Sequence, residues 1–158
     1  MKKYILKVAV WLPVIMILLF IFGFSSQDGE ESGGLSRKAA DILVSAAEKV
    51  DIVELDDSKR QQLIEDMQYP IRKLAHMTEY GVLATFVYIA LAVDGLIWRF
   101  TGFAAVGMTF IFAGADEFHQ TFVPGRCGAF SDVLIDMTGA LIFIIVCTAI
   151  DRRRKNVL

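Results

Sequence analysis

The sequence predicts an all-α membrane protein, a bundle of about four transmembrane helices with one or two short amphipathic helices in the segment 25–71. Hydrophobic residues make up 55% of the 158 residues, and the mean hydropathy of +0.52 is too high for an ordinary soluble domain. Apolar runs of spanning length occur at about 8–24, 74–93, 96–115 and 133–150. Residues 1–158 are therefore expected to form a single membrane domain.

The first apolar run could be a signal peptide or a spanning helix, and we favour the helix. The residues that follow it, 23–27, lack a small-x-small cleavage site. Trp11 near its start is typical of an anchor at the membrane interface.

The net charge is only −2, but the basic residues are unevenly distributed along the chain. Placing both termini in the cytoplasm puts one set on the cytoplasmic side: Lys2, Lys3, Lys7, Arg99 and the cluster 152–155. This pattern predicts a multi-pass protein with the segment 25–73 outside. It indicates membrane orientation and argues against a nucleic-acid partner.

Two stretches of segment 25–71 have helical periodicity, and we expect them to lie on the membrane surface or cover the bundle. The first follows a break at Gly33 and Gly34, and its apolar face comprises Leu35, Ala39, Ile42, Leu43, Ala46, Val50 and Val53. The second runs from about 58 to 68, with Asp57 or Ser58 as its cap. Pro70 is then expected to begin a new helix that leads into the second span.

Small residues and cysteines have simpler interpretations. Four glycines in the spans are expected to permit close helix approach: Gly102, Gly107, Gly114 and Gly139. Cys127 lies in a polar turn and Cys147 deep in the last apolar run, so the topology places them on opposite sides of the membrane. They are not expected to form a disulfide.

The polar residues of the last three spans fall at one depth, the outer membrane surface, when both termini are inside. On each helix they share a face at three- and four-residue spacing. The candidates are His76, Glu79 and Tyr80, then Asp116, Glu117, His119 and Gln120, and finally Asp132 and Asp136. Because a carboxylate that faces lipid is costly, we expect these residues to face one another.

The balance of acidic and basic residues limits the functions that this cluster could have. Its acids outnumber the nearby bases by five to three: Glu79, Asp116, Glu117, Asp132 and Asp136 against Arg72, Lys73 and Arg126. The excess could be balanced by protonated carboxyls, charged histidines, a divalent metal or a cationic ligand. The same groups could instead pair with one another and lock the bundle. A divalent metal would use Glu79, Glu117, His119 and Asp132.

Four segments resemble the VanZ-like family: 24–27, 72–81, 116–126 and 131–140. The resemblance implies a bacterial four-helix protein of the cytoplasmic membrane, in a family named from a member linked to teicoplanin resistance. The family's polar motifs map onto His76, Glu79, Tyr80, Asp116, Glu117, Gln120, Pro124, Gly125, Arg126, Asp132 and Gly139. At Asp136 the family often has Asn, so a role that needs a negative charge there is in doubt.

Two functional hypotheses follow from this resemblance and from the polar cluster. In the first, a non-enzymatic protein contacts membrane lipids, binds a lipid-linked cell-wall precursor or glycopeptide at the outer leaflet, and so affects teicoplanin susceptibility. In the second, an intramembrane enzyme acts on a phosphorylated lipid carrier with a divalent metal, and Arg126 contacts phosphate. A transporter is a weaker third hypothesis, because the cytoplasmic helix ends show no matching polar path.

Overall fold

The computed structural model describes residues 2–52 and 55–157, with side chains for 5–52, 55–97 and 100–153. Every regular element among them is an α-helix, which confirms the all-α prediction: α1 Lys2–Ala9, α2 Leu12–Ser25, α3 Gly29–Lys49, α4 Asp57–Asp94, α5 Trp98–Gln120 and α6 Phe130–Val157. Some residues used above lie outside this part of the chain: Val53 entirely, and the side chains of Lys2, Lys3, Arg99, Arg154 and Lys155.

Helices α4 and α6 run parallel and form the centre of a bundle with α2 and α5. Contacts between α4 and α6 occur in the same order along both helices, which shows that the helices are parallel: Gly81 with Phe143, Thr85 with Cys147, and Tyr88 with Asp151. The short turn 95–97 reverses the chain, so α5 is antiparallel to both. The buried core lies between these helices and includes Leu83, Ala113 and Ile144.

Helix α2 completes the bundle and runs in the same direction as α5. At one end the Ser25 hydroxyl donates to the Asp116 carboxylate over 2.6 Å. At the other end the Trp11 indole donates to the Asp94 carboxylate over 2.9 Å, and Lys7 donates to the Asp94 carbonyl over 2.7 Å. We call these the Ser25 end and the Asp94 end of the bundle.

Three described segments are long and apolar enough to cross a membrane: Ile5–Ser25, Asp57–Asp94 and Phe130–Arg153. Helix α5 is not among them. Its glycines and the carboxylates of Asp116 and Glu117 lower its mean hydropathy. Four spans thus remain a prediction, whereas three membrane-type helices are a property of the structure.

Segment 25–71 folds differently from the sequence prediction, because its second helix is not separate. Residues 57–94 form one helix, and Pro70 lies inside it instead of beginning a new one. Proline removes one backbone hydrogen bond, but Pro70 and Asp66 are both exposed, so water can solvate the freed carbonyl. The cap is Asp56, neither Asp57 nor Ser58, and hydrogen bonds from Lys59 lower the pKa of Asp56 to about 2.

Helix α3 also differs from prediction, both in where it begins and in the face it buries. It begins at Gly29 with Asp28 as its cap, so Gly33 and Gly34 do not interrupt it. It packs on the first part of α4 through small residues spaced four apart, namely Ser32, Ser36, Ala40 and Val44. The larger residues of the predicted apolar face, which was expected to lie on the membrane surface or to cover the bundle, are exposed, among them Leu35, Ile42, Leu43 and Val50. They suit a membrane surface better than a protein core.

Only one of the four span glycines lies at a close helix contact. A methyl group added to Gly139 would overlap the Met77 carbonyl of α4, so the two backbones approach closely here. Gly107 and Gly114 have open space around them, which makes their predicted packing role wrong. Gly102 is intermediate, because an added methyl group would lie 3.3 Å from the Ile144 side chain of α6, a tight contact that this side chain would have to shift to relieve.

Candidate functional site

The predicted polar residues divide into two neighbouring arrangements at the Ser25 end, one inside the bundle and one in an open cavity. The inner arrangement centres on Asp116, which is fully buried. Its Oδ2 atom accepts hydrogen bonds from Ser25 Oγ at 2.6 Å and Gln120 Nε2 at 3.1 Å. This network joins α2 to α5, because its partners come from both helices.

Gln120 is the branching point of the inner network. Its Nε2 lies 3.1 Å from both Asp116 Oδ2 and Glu117 Oε1 and 3.3 Å from Ser25 Oγ. Its Oε1 faces the Arg126 guanidinium at 3.4 Å. An amide nitrogen has two hydrogens, so it cannot satisfy three acceptors at once. Ser25 therefore serves mainly as a donor to Asp116.

Glu117 orders the turn between α5 and α6. Its Oε2 accepts the Ala129 backbone N–H over 2.9 Å, just before α6 begins. Gly128 passes so close to the Glu117 carbonyl that a methyl group there would overlap it. The carboxylate thus has a structural partner already, on the side away from the cavity.

Three buried oxygens of the inner arrangement have no hydrogen-bond partner: Tyr80 Oη, Asp116 Oδ1 and Asp136 Oδ2. The Tyr80 hydroxyl lies close enough to Asp116 and Asp136 for the charges of both aspartates to act on it. Among the described side chains, none of Asp116, Glu117 and Asp136 forms an ion pair. Because unpaired buried oxygens are costly, this interior is polar but incompletely satisfied.

Arg126 connects the inner arrangement to the cavity. Besides Gln120, its guanidinium donates to the backbone carbonyls of Phe24 and Gln27, both at 3.1 Å, and so caps the end of α2. These acceptors are neutral, and among the described side chains Arg126 forms no ion pair, although the charges of Asp116, Glu117 and Asp28 act on it from further away. Partial burial, and then the neighbouring charge of Arg72, lower the pKa of Arg126 from its ordinary value, yet a guanidinium stays charged at neutral pH.

The cavity lies between the end of α2, the start of α3 and the middle of α4, and it has a volume of about 270 Å³. Its polar lining combines two guanidinium groups with smaller polar groups: Arg72, Arg126, His76, Glu79, Gln27, Ser32 and Ser36. Its apolar lining comprises Phe24, Leu35, Ala39, Ile71 and Ala75. One wall is thus cationic and the other is hydrocarbon.

Helical spacing on α4 brings Arg72, His76 and Glu79 into this one cavity. His76 Nδ1 lies 3.8 Å from Glu79 Oε2, too far for a hydrogen bond, and it has no other partner. Arg72 makes no ion pair or side-chain hydrogen bond within the described part of the chain. Its guanidinium is available to a ligand.

The remaining predicted residues lie apart from this cavity. Asp132 forms an ion pair with Lys73 at 2.5 Å, and Lys73 also lies over the Tyr69 ring. His119 packs edge-on against Phe22. Within residues 2–52 and 55–157, no group of three or more His, Cys, Asp or Glu side chains is arranged to hold a metal ion. The predicted metal set of Glu79, Glu117, His119 and Asp132 is therefore not assembled in the described structure, and Glu117 and Asp132 bond Ala129 and Lys73 instead.

Sequence reasoning assigned two of these residues no role in the site. The sequence predicts Arg72 only as one of the bases near the acidic cluster. Arg72 is four residues before His76, however, and residues at this spacing share a helix face, so the spacing could have placed Arg72 in the cavity. Ser25 was noted only as part of a resembling segment. A serine at the end of an apolar helix carries no signal for a buried bond to a residue 91 positions away.

The fold and the site together define a helical membrane protein with a buried carboxylate network and a cationic cavity at one end of its bundle. The model of the VanZ/LLP1 family matches residues 10–151, so the chain belongs to this family. That match confirms the resemblance noted in the sequence. Neither the curated proteins nor the solved structures contain a match to the chain.

Proposed function

We propose that this protein binds a lipid-linked, phosphate-bearing ligand of the cell envelope at the outer leaflet of the bacterial cytoplasmic membrane. The observation that carries the proposal is the cavity, where Arg72 and Arg126 face an apolar wall and neither guanidinium forms an ion pair with a described carboxylate. Guanidinium groups bind phosphate oxygens through paired, charge-assisted hydrogen bonds. A hydrocarbon wall beside them suits a ligand that is anionic at one end and apolar at the other.

The charges of the cavity favour an anion over the cationic ligand considered from the acidic excess. Two guanidinium groups face one carboxylate, Glu79, and the other acids lie in the inner arrangement or pair with lysine. An anion between Arg72 and Arg126 would also relieve the repulsion between them. Altered access of a glycopeptide such as teicoplanin would then follow from sequestering a lipid-linked precursor.

A metal-dependent enzyme is the alternative, and the described geometry does not favour it. That reaction needs Glu79, Glu117, His119 and Asp132 near one ion, whereas Glu117 holds the Ala129 backbone and Asp132 holds Lys73. The binding hypothesis needs only groups that already line one cavity.

The proposed topology has four spans and two cytoplasmic termini, with the Ser25 end outside. Helix α5 packs against both candidate spans α4 and α6 and extends from the Asp94 end to the Ser25 end, which supports its spanning role. The basic clusters at both chain ends support the orientation.

Cysteine labelling tests this orientation. We expect a membrane-impermeant maleimide added to intact cells to label Cys127, which is exposed in the turn at the Ser25 end, and to leave Cys147 unlabelled. Cys127→Ser and Cys147→Ser variants assign the signal. Labelling of the Cys127→Ser variant, or labelling of Cys127 only after permeabilisation, would reverse the topology.

Replacing Arg72 with glutamine tests the ligand. We expect binding of a long-chain alkyl phosphate to weaken roughly ten- to a hundredfold, because a hydrogen bond to a charged group contributes about 1.5–3 kcal/mol. The thermal midpoint in detergent should not change, since Arg72 makes no contact that the fold needs. Binding can be measured by native mass spectrometry in a phosphate-free maltoside detergent.

Arg37→Gln is the matched control. Arg37 also lies in the helix pair formed by α3 and the first part of α4, but it is outside the cavity and contacts Gln61. We expect it to bind the alkyl phosphate as the wild type does. Equal weakening by both substitutions would indicate general surface charge, and no weakening by Arg72→Gln would refute the proposed ligand site. Teicoplanin susceptibility of strains that express each variant provides a cellular readout.

A further inference from the structure

An apolar groove continues from the cationic cavity along the outside of the bundle. It has a volume of about 480 Å³ and lies between α2, α3 and α4. Cavity and groove share Ile71, Ala75 and Glu79 in their linings, so they form one continuous depression. The groove then extends past Thr78 to Val82.

The dimensions of the groove match half of a bilayer. From Ile71 to Val82 the helix rises roughly 16 Å at 1.5 Å per residue. Half of the hydrocarbon core of a bilayer is roughly 15 Å thick. A chain whose head lies in the cavity would thus reach about the middle of the membrane.

The walls of the groove have the chemistry of a hydrocarbon site. Ile17 of α2 and Leu43 of α3 flank the α4 residues, and the exposed Leu43 and Leu74 have no protein partner that covers them. The Thr78 hydroxyl donates to the Leu74 carbonyl over 2.8 Å, so it presents its methyl group and leaves no free donor. Glu79, which lines both the groove and the cavity, is the one carboxylate in the described lining of the groove.

We infer that the cavity and the groove are a single lipid site, which takes a phosphate-headed lipid by its head between Arg72 and Arg126 and seats one hydrocarbon chain lengthwise along α4. This inference rests on the proposed function and adds to it the position of the chain. This groove differs from other lipid-facing surfaces because it is continuous with the cavity of Arg72 and Arg126. Binding of the lipid head by these two guanidinium groups would hold the hydrocarbon chain in the groove.

Photo-crosslinking locates the chain. The probe is hexadecyl phosphate with a diazirine near the end of its chain, and the reference is the corresponding long-chain alcohol, both added to the detergent-purified protein. We expect adducts of the phosphate to concentrate on peptides that contain Ile17, Leu43 and the segment 74–82. Adducts of the alcohol should spread over lipid-facing surfaces, including the groove of about 790 Å³ between α5 and α6.

A matched pair of tryptophan substitutions tests the groove itself. Thr78→Trp fills the groove, whereas Thr138→Trp places the same ring on the exposed face of α6, where Thr138 bonds Leu134 as Thr78 bonds Leu74. The parallel register of α4 and α6 puts both positions at a similar depth. We expect Thr78→Trp to lose most groove adducts and Thr138→Trp to keep them. Binding of butyl phosphate, which has a head but almost no chain, should be unchanged in both.

The possible failures are distinguishable. Adducts of the phosphate probe that spread evenly, while Arg72→Gln still abolishes butyl phosphate binding, would overturn the groove inference and leave the proposed function intact. Equal loss of groove adducts in Thr78→Trp and Thr138→Trp would also overturn the inference, because the effect would not be local. Butyl phosphate binding that is insensitive to Arg72→Gln would overturn the proposed function and the inference together.

Discussion

Replacing Gly139 with alanine is expected to lower the thermal midpoint of the protein in detergent by on the order of 10 °C. The added methyl group would overlap the Met77 carbonyl, where the backbones of α6 and α4 approach closely. A carbonyl of the helix backbone cannot rotate away as a flexible side chain can, so the two helices must separate. Their separation also disturbs Gly81, whose face packs directly against the Phe143 ring.

Gly107→Ala is the control for this experiment, because Gly107 lies in the middle of α5 with no atom near the added methyl group. Alanine is favoured over glycine inside a helix by about 1 kcal/mol. Gly107→Ala should therefore be as stable as the wild type or more stable. Fluorescence-detected gel filtration at increasing temperature measures both variants, and a Gly139→Ala midpoint equal to that of Gly107→Ala would contradict the close contact.

Replacing Asp116 with alanine is expected to destabilise the protein by about 1–3 kcal/mol relative to replacing it with asparagine. Both substitutions remove the carboxylate, so the difference between them isolates its hydrogen bonds. Asparagine can place its carbonyl at the Oδ2 position and accept from Ser25 and Gln120, as aspartate does. Alanine leaves the buried Ser25 hydroxyl without this acceptor, at a cost of about 1–3 kcal/mol, whereas Gln120 Nε2 keeps Glu117 Oε1 as an acceptor.

Comparison of Asp116→Asn with the wild type isolates the charge. No described cation pairs with this fully buried carboxylate, so we expect asparagine to be at least as stable as aspartate. Chemical unfolding in mixed micelles gives both differences. An asparagine variant much less stable than the wild type would show that a cation compensates Asp116, and equal stability of asparagine and alanine would show that the two hydrogen bonds contribute nothing.

Apolar composition and helical periodicity were sufficient to predict the helices of this protein. The runs at about 8–24, 74–93 and 133–150 fall within the three segments that the structure identifies as able to span a membrane. Periodicity did not predict that the short helix expected at 58–68 continues into the second span as the single helix α4. Pro70 is typical of a helix start, and it is tolerated inside α4 because it is exposed to solvent. The sequence records the residue but not the side that it faces.

The sequence predicted the end of the bundle at which the polar residues gather, but not how they divide between the interior and the cavity. Depth along the helices placed His76, Asp116 and their neighbours at one end of the bundle, and the structure does bring them there. The rotation of each helix about its own axis determines whether a polar residue lies in the interior or in the cavity. Asp116 faces inward, and His76 faces the cavity beside α3. Helical spacing shows which residues share a face, but not which neighbour that face meets.

The sequence by itself determined the class of protein, the family, the depth of the polar residues and the basic chain ends, because these follow from local composition and spacing. Only the tertiary structure decided that two arginines far apart in the chain, Arg72 and Arg126, share a cavity and form no ion pair with any carboxylate of the described residues. It also decided that Asp116 bonds Ser25 across the bundle. The physical reason is that such contacts depend on helix rotation and register, which packing at sites such as Gly139 sets through the close fit of one backbone against another.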